Sequence, residues 1–361
     1  MAEGAEGAAV EGAAVKDSAV KGEVGGNGLV ESGPMVVAEN LVRLFPGPAG
    51  GDPVRAVDDV SIAIRRGETF GLVGESGSGK STVSRLLLGL DRPTSGRVIV
   101  DGAEVSALSE RRLRPLRQRM QMVFQDPHAS LNRRKTVEQI IGLPLAVHTG
   151  LSARARAERV RELLDLVGLR PEFAARYPHE MSGGQCQRVG IARAIALEPE
   201  LVVLDEAVSA VDVSIQAQIL NLLKDLQRRL GLTYVFVSHD LALVRYMSDR
   251  IAVLYRGRVV ELAERDDLFA SPRHPYTAAL LAAVPEADPS RRRGVPVLPA
   301  TVEQEPSGTG CRYRGRCPRA GDEPLCRDQE PDLLGHAGSG HLIACHLNER
   351  SAGAAATRSR T

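Results

Sequence analysis

Apolar residues along the chain alternate between two periods, and that alternation predicts the fold class. Residues 69–73 (TFGLV) are a short apolar run ending in glycines, after which Val83, Leu86, Leu87 and Leu90 follow at helical spacing. A strand, a Gly-rich turn and a helix are therefore expected in succession. From 126 to 179 the pattern turns helical, with Val160, Leu163, Leu164 and Val167 on one face and Gly168 as a cap before Pro171, predicting a small helical insertion. Strand patterns return at 201–204 and 233–237, separated by a helix striped by Ile215, Ile219, Leu222, Leu223 and Leu226, the crossover unit of a mainly parallel sheet. Residues 251–255 and 258–262 flank Arg256-Gly257 and predict a hairpin. The whole reads as α/β architecture beginning near Met35. Before it, 1–34 is dominated by Gly, Ala, Val and Glu, with EGAAV at 6–10 repeated at 11–15, and is expected to be a disordered tail. Beyond Pro285 the chain is rich in Pro, Arg, Gly and Cys and periodicity stops, so 286–348 is expected to be an appendage held by something other than a large core. A second tail is expected at 349–361.

Composition narrows the function classes. The 361 residues include 46 Lys and Arg against 45 Asp and Glu, a net charge of +1, which gives no electrostatic footprint for nucleic acid. Hydrophobic residues at 43% can bury a sizeable core, whereas 3% aromatics without Trp argue against stacking platforms for single strands. The longest stretch free of charged residues, 139–153, is interrupted by Pro144, His148 and Gly150 and is too short to span a bilayer. The N-terminus, with Glu3 and Glu6 and no apolar core after a basic segment, does not read as a secretory signal. The cysteines are accordingly expected in a reducing cytosol, where disulfides are rare.

Residues 74–81 (GESGSGKS) fit G-x-x-x-x-G-K-[ST] between the predicted strand and helix, the context the motif needs. In such a loop Gly74, Ser76, Gly77, Ser78 and Gly79 let backbone N–H groups wrap phosphate oxygens, Lys80 reaches the outer phosphates, and Ser81 can ligate Mg²⁺. Alone the motif says only nucleoside triphosphate, and a kinase or a GTPase stays open. Residues 201–206 (LVVLDE) end an apolar strand in two carboxylates, offering Asp205 to Mg²⁺ and Glu206 to an attacking water, although acidic pairs at strand ends are usually solvated caps. Ser182, Gly183, Gly184 and Gln185 precede a helical segment, where the serine and the glycine amides make an anion site with no lysine of its own. Two phosphate-gripping elements in one chain raise the question of whether both hold one nucleotide.

These motifs together resemble the ATP-binding cassette (ABC) ATPases. In family order stand the phosphate loop at 74–81, a glutamine loop at 124–127 (FQDP), the signature at 182–185 (SGGQ), Asp205 and Glu206, a loop at 209–212 (SAVD) and a switch histidine at 238–240 (SHD). The resemblance covers about 35–285 and implies a P-loop NTPase of ABC type, with a mainly parallel core sheet, an antiparallel β subdomain and a helical signature subdomain at about 126–198. It implies that Lys80, Ser81 and Thr82 bind phosphate and Mg²⁺, that Gln125 senses metal and water, and that Asp205 is the Mg²⁺ partner. Glu206 would be the general base and His239 the contact to the γ-phosphate. Two such domains would meet head to tail, so that Ser182 and Gly184 act on the partner's nucleotide, with Gly183, Gln185 and Asp212 as further nucleotide-binding candidates. Phe45 is the candidate for stacking on adenine, with a core phenylalanine as the equal alternative. Cys186, Ala207 and Val211 stand where the family usually has Arg, Pro and Leu. Ala207 is expected to loosen Glu206, because Pro restricts the residue before it.

Further stretches, 177–184 (YPHEMSGG), 212–218 (DVSIQAQ) and 274–277 (HPYT), look like the oligopeptide, dipeptide and nickel importers, and 79–90 looks like the second of their paired ATPases. That resemblance implies a heterodimer with a homologous ATPase below two transmembrane permease subunits, fed by an extracytoplasmic substrate-binding protein. It also implies a peripheral place on the cytoplasmic face of the cell membrane. Peptides are the default cargo, with nickel, glutathione and oligosaccharides open. A soluble ABC ATPase outside transport is the competing class, disfavoured because no coiled coil separates Gln125 from Ser182 and only one cassette is present. In the appendage Cys311, Cys317, Cys326 and Cys345 are spaced C-x5-C-x8-C-x18-C, which matches neither a zinc ribbon nor a bacterial ferredoxin. The importer resemblance tilts these four toward a [4Fe–4S] cluster, with Zn as runner-up.

Overall fold

A computed structural model describes residues 33–47, 51–209, 211–283, 309–335 and 340–348. Nearly all of the expected tail at 1–34, the one at 349–361 and residues 286–308 of the appendage lie outside the described residues.

Strands β1 (Val36–Phe45), β2 (Val54–Ile64), β4 (Ser95–Val100) and β5 (Ala103–Glu104) form an antiparallel sheet in the order β2-β1-β4-β5. Alternation makes it one-sided: Val60, Ile62 and Ile64 of β2 are buried while Ser61 and Ala63 between them face out. The larger sheet is built on β3 (Thr69–Val73), β6 (Met120–Val123), β7 (Leu201–Asp205), β8 (Thr233–Ser238) and β9 (Arg250–Tyr255), all parallel to one another. Every residue of β3, β7 and β8 is buried, because a parallel sheet is covered on both faces. Its period of two feeds two cores. Leu201 and Val203 of β7 join the cluster under the antiparallel sheet, with Val83, Leu86 and Leu87, while Val202 and Leu204 join the cluster under the helical insertion.

Helix α1 (Lys80–Leu87) follows the Gly-rich turn and stops at Gly89 (φ +62°), so Leu90 falls outside the predicted stripe and is 45% exposed. A short helix α2 (Glu110–Leu116) precedes β6. Between β6 and β7 lie α3 (Pro127–Ser130), α4 (Val137–His148), α5 (Ala153–Leu166) and α6 (Gly183–Ile195). Val160, Leu163 and Leu164 of α5 are buried as the stripe predicts. Helix α7 (Val213–Leu230), ended by Gly231 at φ +66°, crosses from β7 to β8. Beyond α8 (Leu241–Met247), β9 turns through Arg256-Gly257, both at positive φ, into antiparallel β10 (Arg258–Glu264), followed by α9 (Arg265–Ala270) and α10 (Pro275–Ala282).

The appendage differs from expectation. After α11 (Pro324–Asp328), β11 (Leu334–Gly335) and β12 (Leu342–Ile343) extend the main sheet, β12 pairing with β10 at Glu261 and Leu262. Tyr313 is 1% exposed and belongs to the main core, against Tyr255, Tyr276 and His274. Fully buried Glu261 accepts from the backbone N–H groups of Arg273 (2.7 Å) and His274 (3.0 Å) and lies 2.6 Å from His341 Nε2. The described part of the appendage is thus sewn into the large core.

Candidate functional site

The chemistry-bearing residues collect at the carboxyl ends of β3, β6, β7 and β8, the edge where open α/β sheets bind ligands. The loop after β3 is tight because its glycines have no Cβ. A side chain at Gly74 would collide with the Leu254 carbonyl, and one at Gly79 (φ +103°) with that of Ala56. Lys80 Nζ folds back to the carbonyls of Gly74 and Glu75, 2.8 Å each. Burial holds its pKa below the ordinary lysine value, against the pull of Glu206, Asp205 and Glu75. Ser78 Oγ is buried without a hydrogen-bond partner, while Ser76 and Gly77 are exposed and Thr82 is half-buried on α1. An orphaned hydroxyl, a lysine satisfied only by carbonyls and a Cβ-free cradle fit an incoming polyphosphate.

Ser81 Oγ donates to Asp205 Oδ1 at 3.2 Å. Burial raises the Asp205 pKa, the Ser81 hydrogen bond opposes this, and neighbouring Glu206 adds to it. A serine hydroxyl beside a buried carboxylate is a hard-oxygen donor set that suits Mg²⁺. One residue on, Glu206 turns into the left-handed region at φ +47°. Its N–H donates to the Val237 carbonyl (3.0 Å), and its own carbonyl accepts from Ser209 N–H (3.1 Å) and Oγ (2.9 Å). The expected loosening by Ala207 is therefore met by three hydrogen bonds, and Ala207 is buried. The Glu206 carboxylate receives Gln125 Nε2 at 2.8 Å and stands 3.2 Å from His239 Nδ1. Three side chains from the ends of three different strands thus meet beside Lys80, Ser81 and Asp205.

The signature lies elsewhere. Ser182 caps α6 reciprocally with Gln185: Gln185 N–H donates to Ser182 Oγ (3.4 Å) and Ser182 N–H to Gln185 Oε1 (3.0 Å). Gly183 and Gly184 open the helix, and a Cβ at Gly184 would press on Ile215. Ser182, Gly184 and Gln185 line an open groove with Arg170, Arg188 and Gln218, and no residue of the 74–81 loop lines it. Cys186 is buried, its thiol pushed up to about 11 by desolvation and its Sγ 3.4 Å from the Pro178 carbonyl. Asp212 precedes α7 without a side-chain cap, and Ala210 lies outside the described residues. Phe45 ends β1 half-buried, with the Arg43 guanidinium 4.7 Å from its ring centre. It is not a core phenylalanine.

Two of the four appendage cysteines meet through the backbone. Cys311 N–H donates to the Cys326 carbonyl (2.9 Å), an approach that needs Gly310 (φ +99°), where any Cβ would strike the Arg327 and Cys326 backbone. Burial pushes the Cys311 thiol up to about 12, with Glu330, Cys326 and Cys345 adding to it. Cys326 is raised by burial and then by Cys345 and Cys317; Cys345 is raised by burial, with a smaller contribution from Cys317. Among the described residues no group of three or more His, Cys, Asp or Glu could hold a metal ion, so the arrangement of these cysteines supports neither the [4Fe–4S] cluster nor Zn.

Two residues that the motifs did not single out complete the loop: Glu75 N–H donates to Tyr276 Oη (3.0 Å), and the Glu75 carboxylate is gripped by Arg316. Tyr276 lies in the HPYT stretch that had served only as a mark of the importers.

Comparison with known proteins agrees with this geometry. Residues 57–209 match the family described as ABC transporter, and 260–326 match the oligopeptide/dipeptide transporter C-terminal region. A probable peptide ABC transporter ATP-binding protein of Sinorhizobium fredii is 51% identical over 326 residues, 89% of this chain and 92% of that protein. The oligopeptide transport ATP-binding protein AppF of Bacillus subtilis is 50% identical over 307 residues, 81% and 90% of the two chains. A dimeric post-hydrolysis structure of the ATP-binding cassette MJ0796 with ADP and Pi superposes with a TM-score of 0.59 at 33% identity, over 64% of this chain and 99% of that one. On these likenesses the chain belongs to the ABC transporter family, as an ATPase that carries the oligopeptide/dipeptide transporter C-terminal region.

Proposed function

We propose that this ATPase energises a peptide importer, and the observation that carries the reading is the junction of Gln125, Glu206 and His239 beside Lys80, Ser81 and Asp205 in a chain ending in the peptide-transporter region. The amides and glycines of residues 74–79, with Ser78, cradle the phosphates of ATP, Lys80 leaves its two carbonyls for the outer phosphates, and Thr82 supports them from α1. Ser81 and Asp205, with Gln125, would hold Mg²⁺, which would supply neutralisation of charge on the phosphates. Glu206 takes the proton of the attacking water, Gln125 orients that water, and His239 donates toward the γ-phosphate. Phe45, with the Arg43 guanidinium over its ring, is the aromatic that stacks on adenine in this reading.

Ser182, Gly183, Gly184 and Gln185, at the start of α6 and apart from this cradle, meet the nucleotide of a paired homologous ATPase, with Asp212 in the same seam. ATP then drives closure only as far as it binds the closed dimer better than the open one. Two transmembrane permease subunits receive that motion, and an extracytoplasmic binding protein delivers cargo to them. No helix among the described residues is long and apolar enough to cross a membrane. The importer reading places the chain peripherally on the cytoplasmic face of the membrane. We read 35–285 as the ATPase domain and 286–348 as the importer region.

The [4Fe–4S] cluster on Cys311, Cys317, Cys326 and Cys345 rests on the importer resemblance, residues 260–326 matching that transporter region, and no ligand group among the described residues adds to it. Such a cluster would supply cross-linking of the appendage. Purification from membranes in mild detergent tests the whole reading: the chain should bring two multi-spanning proteins and a second ATPase, and vesicles rebuilt from them should accumulate peptides with ATP. A chain that copurifies with no membrane protein refutes import.

A further inference from the structure

The C-x5-C segment between Cys311 and Cys317 carries two arginines that reach out of the appendage, Arg312 to Asp58 on β2 and Arg316 to Glu75 in the phosphate loop. Arg312 pairs with Asp58 on β2 and with Glu330 (3.1 Å), and donates to the carbonyl of Arg256 in the hairpin turn (2.5 Å). Gly257 in that turn donates to the Ser78 carbonyl at 2.9 Å. Arg316, at the end of a short helical turn and next to Cys317, forms a two-pronged pair with Glu75: Nη1 to Oε2 at 2.9 Å and Nη2 to Oε1 at 3.0 Å. The Arg316 side chain is 12% exposed, flanked by Tyr255 and Tyr313 with ring centres at 5.9 Å. It is therefore held by packing before it meets the carboxylate.

Glu75 occupies an awkward place. It is the second residue of a loop whose N–H groups converge on a polyanion, and a bare carboxylate there would repel the triphosphate. Its N–H is fixed by Tyr276 Oη and its carbonyl accepts Lys80 Nζ, so the backbone that carries the carboxylate is held at the loop, and Arg316 is what fixes the carboxylate itself. We propose that Arg316 is a positioning residue for the ATP reaction, neutralising and holding the Glu75 carboxylate at the mouth of the phosphate loop so that ATP affinity depends on the C-terminal appendage. The proposal rests on the assignment of residues 74–81 to the triphosphate, and it gives the importer region a task at the ATP site.

The test is titration of the full-length chain, with Mg²⁺ and low salt, by a fluorescent ATP analogue. Arg316→Gln is expected to bind about five- to tenfold more weakly, because it strands a partly exposed negative charge near the phosphates. Its kcat at saturating ATP should stay within about twofold of wild type, since no group at Glu206 moves, so the loss falls on KM. Glu75→Gln combined with Arg316→Gln should return affinity to within about twofold of wild type, a rescue that general damage to the appendage would not allow. Arg327→Gln, on the same appendage but paired with neighbouring Asp328, serves as the control and should bind normally.

Wild-type affinity in Arg316→Gln, or a double variant as weak as the single one, overturns the proposal. Should Arg316→Gln not accumulate, Glu75→Gln alone decides: it should bind ATP as tightly as wild type or tighter, and a fivefold loss refutes charge compensation. Lys80→Ala separates the two layers. Unchanged binding in that variant overturns the loop assignment together with this proposal, whereas lost binding beside a normal Arg316→Gln overturns this proposal alone.

Discussion

Replacing Glu206 by glutamine tests the catalytic reading most directly, because the exchange keeps shape and removes one capacity. The carboxylate now takes Gln125 Nε2 on Oε2 and faces His239 Nδ1 across Oε1, at 2.8 and 3.2 Å. An amide supplies one acceptor and one donor, so it can retain one of these contacts, and the backbone anchors to Val237 and Ser209 do not involve the side chain. Binding of ATP, which depends on Lys80 and the loop amides, should stay within about threefold of wild type. Proton abstraction by a positioned base is worth roughly 10²- to 10⁴-fold, equivalent to about 2.7–5.4 kcal/mol of barrier, and that is the expected loss in turnover. The assay is phosphate release by the assembled complex at saturating ATP, beside nucleotide titration of the same preparation. Turnover within threefold of wild type would show that Glu206 is not the base. Lost binding would show that the exchange damaged the cradle and that the isosteric argument fails.

Three further predictions follow from other parts of the molecule. Because Ser182 lies apart from the phosphate loop of its own chain, the isolated subunit should hydrolyse ATP at least about tenfold more slowly than a mixture with its paired ATPase, and full activity in a demonstrated monomer would refute the shared site. Protein purified without oxygen should be brown and contain iron and acid-labile sulfide, and Cys317→Ser should lose both; colourless anaerobic protein refutes the cluster. Burial lowers the His274 pKa to about 4 from 6.5, against the pull of Glu261, while Nδ1 accepts the Tyr276 N–H. The unfolded chain therefore binds the proton first, and up to about 3 kcal/mol of stability should drain away as pH falls from 6.5 toward 4. His274→Asn, which keeps a cap acceptor and cannot titrate, should flatten that slope in urea midpoints, and an unchanged slope refutes the assignment.

The central fold was legible because each of its elements states its own period. The runs at 69–73 and 201–204 are too short for helices and stand beside turn signals, which reads as strands covered on both faces, and the α5 and α7 stripes need a helix to gather on one side. The nucleotide loop was legible for a similar reason, since Gly74 and Gly79 are forced by backbone contacts that no other residue permits. The convergence of Gln125, Glu206 and His239 was not visible in spacing. They lie far apart in the chain, and only the strand order that places β6, β7 and β8 side by side explains why motifs in that sequence make one site.

The appendage misled the sequence reading because its stability comes from pairings that leave no local period. Two-residue strands are too short to show alternation, yet β12 inherits a register from β10, and that register puts His341 next to Glu261. A carboxylate with no exposure would be costly alone; here the N–H groups of Arg273 and His274 and the His341 ring outweigh desolvation and hold its pKa below the ordinary glutamate value. The same argument covers Arg312 and Arg316, which look like ordinary surface charge in a basic, Gly-rich stretch but find Asp58 and Glu75 about 250 residues earlier in the chain. Long-range ion pairs of this kind are illegible in one sequence, because either partner reads as a solvated side chain until the fold brings them together. What the sequence does carry is the restriction that makes the meeting possible: Gly310, where a side chain would strike the Cys326 backbone, fixes the start of the segment, and Tyr313, buried between the two arginines, fixes its middle. With the backbone pinned at those two points, Arg312 and Arg316 reach Asp58 on β2 and Glu75 in the phosphate loop from one short turn, and the appendage touches that loop without contributing a residue to the catalytic junction.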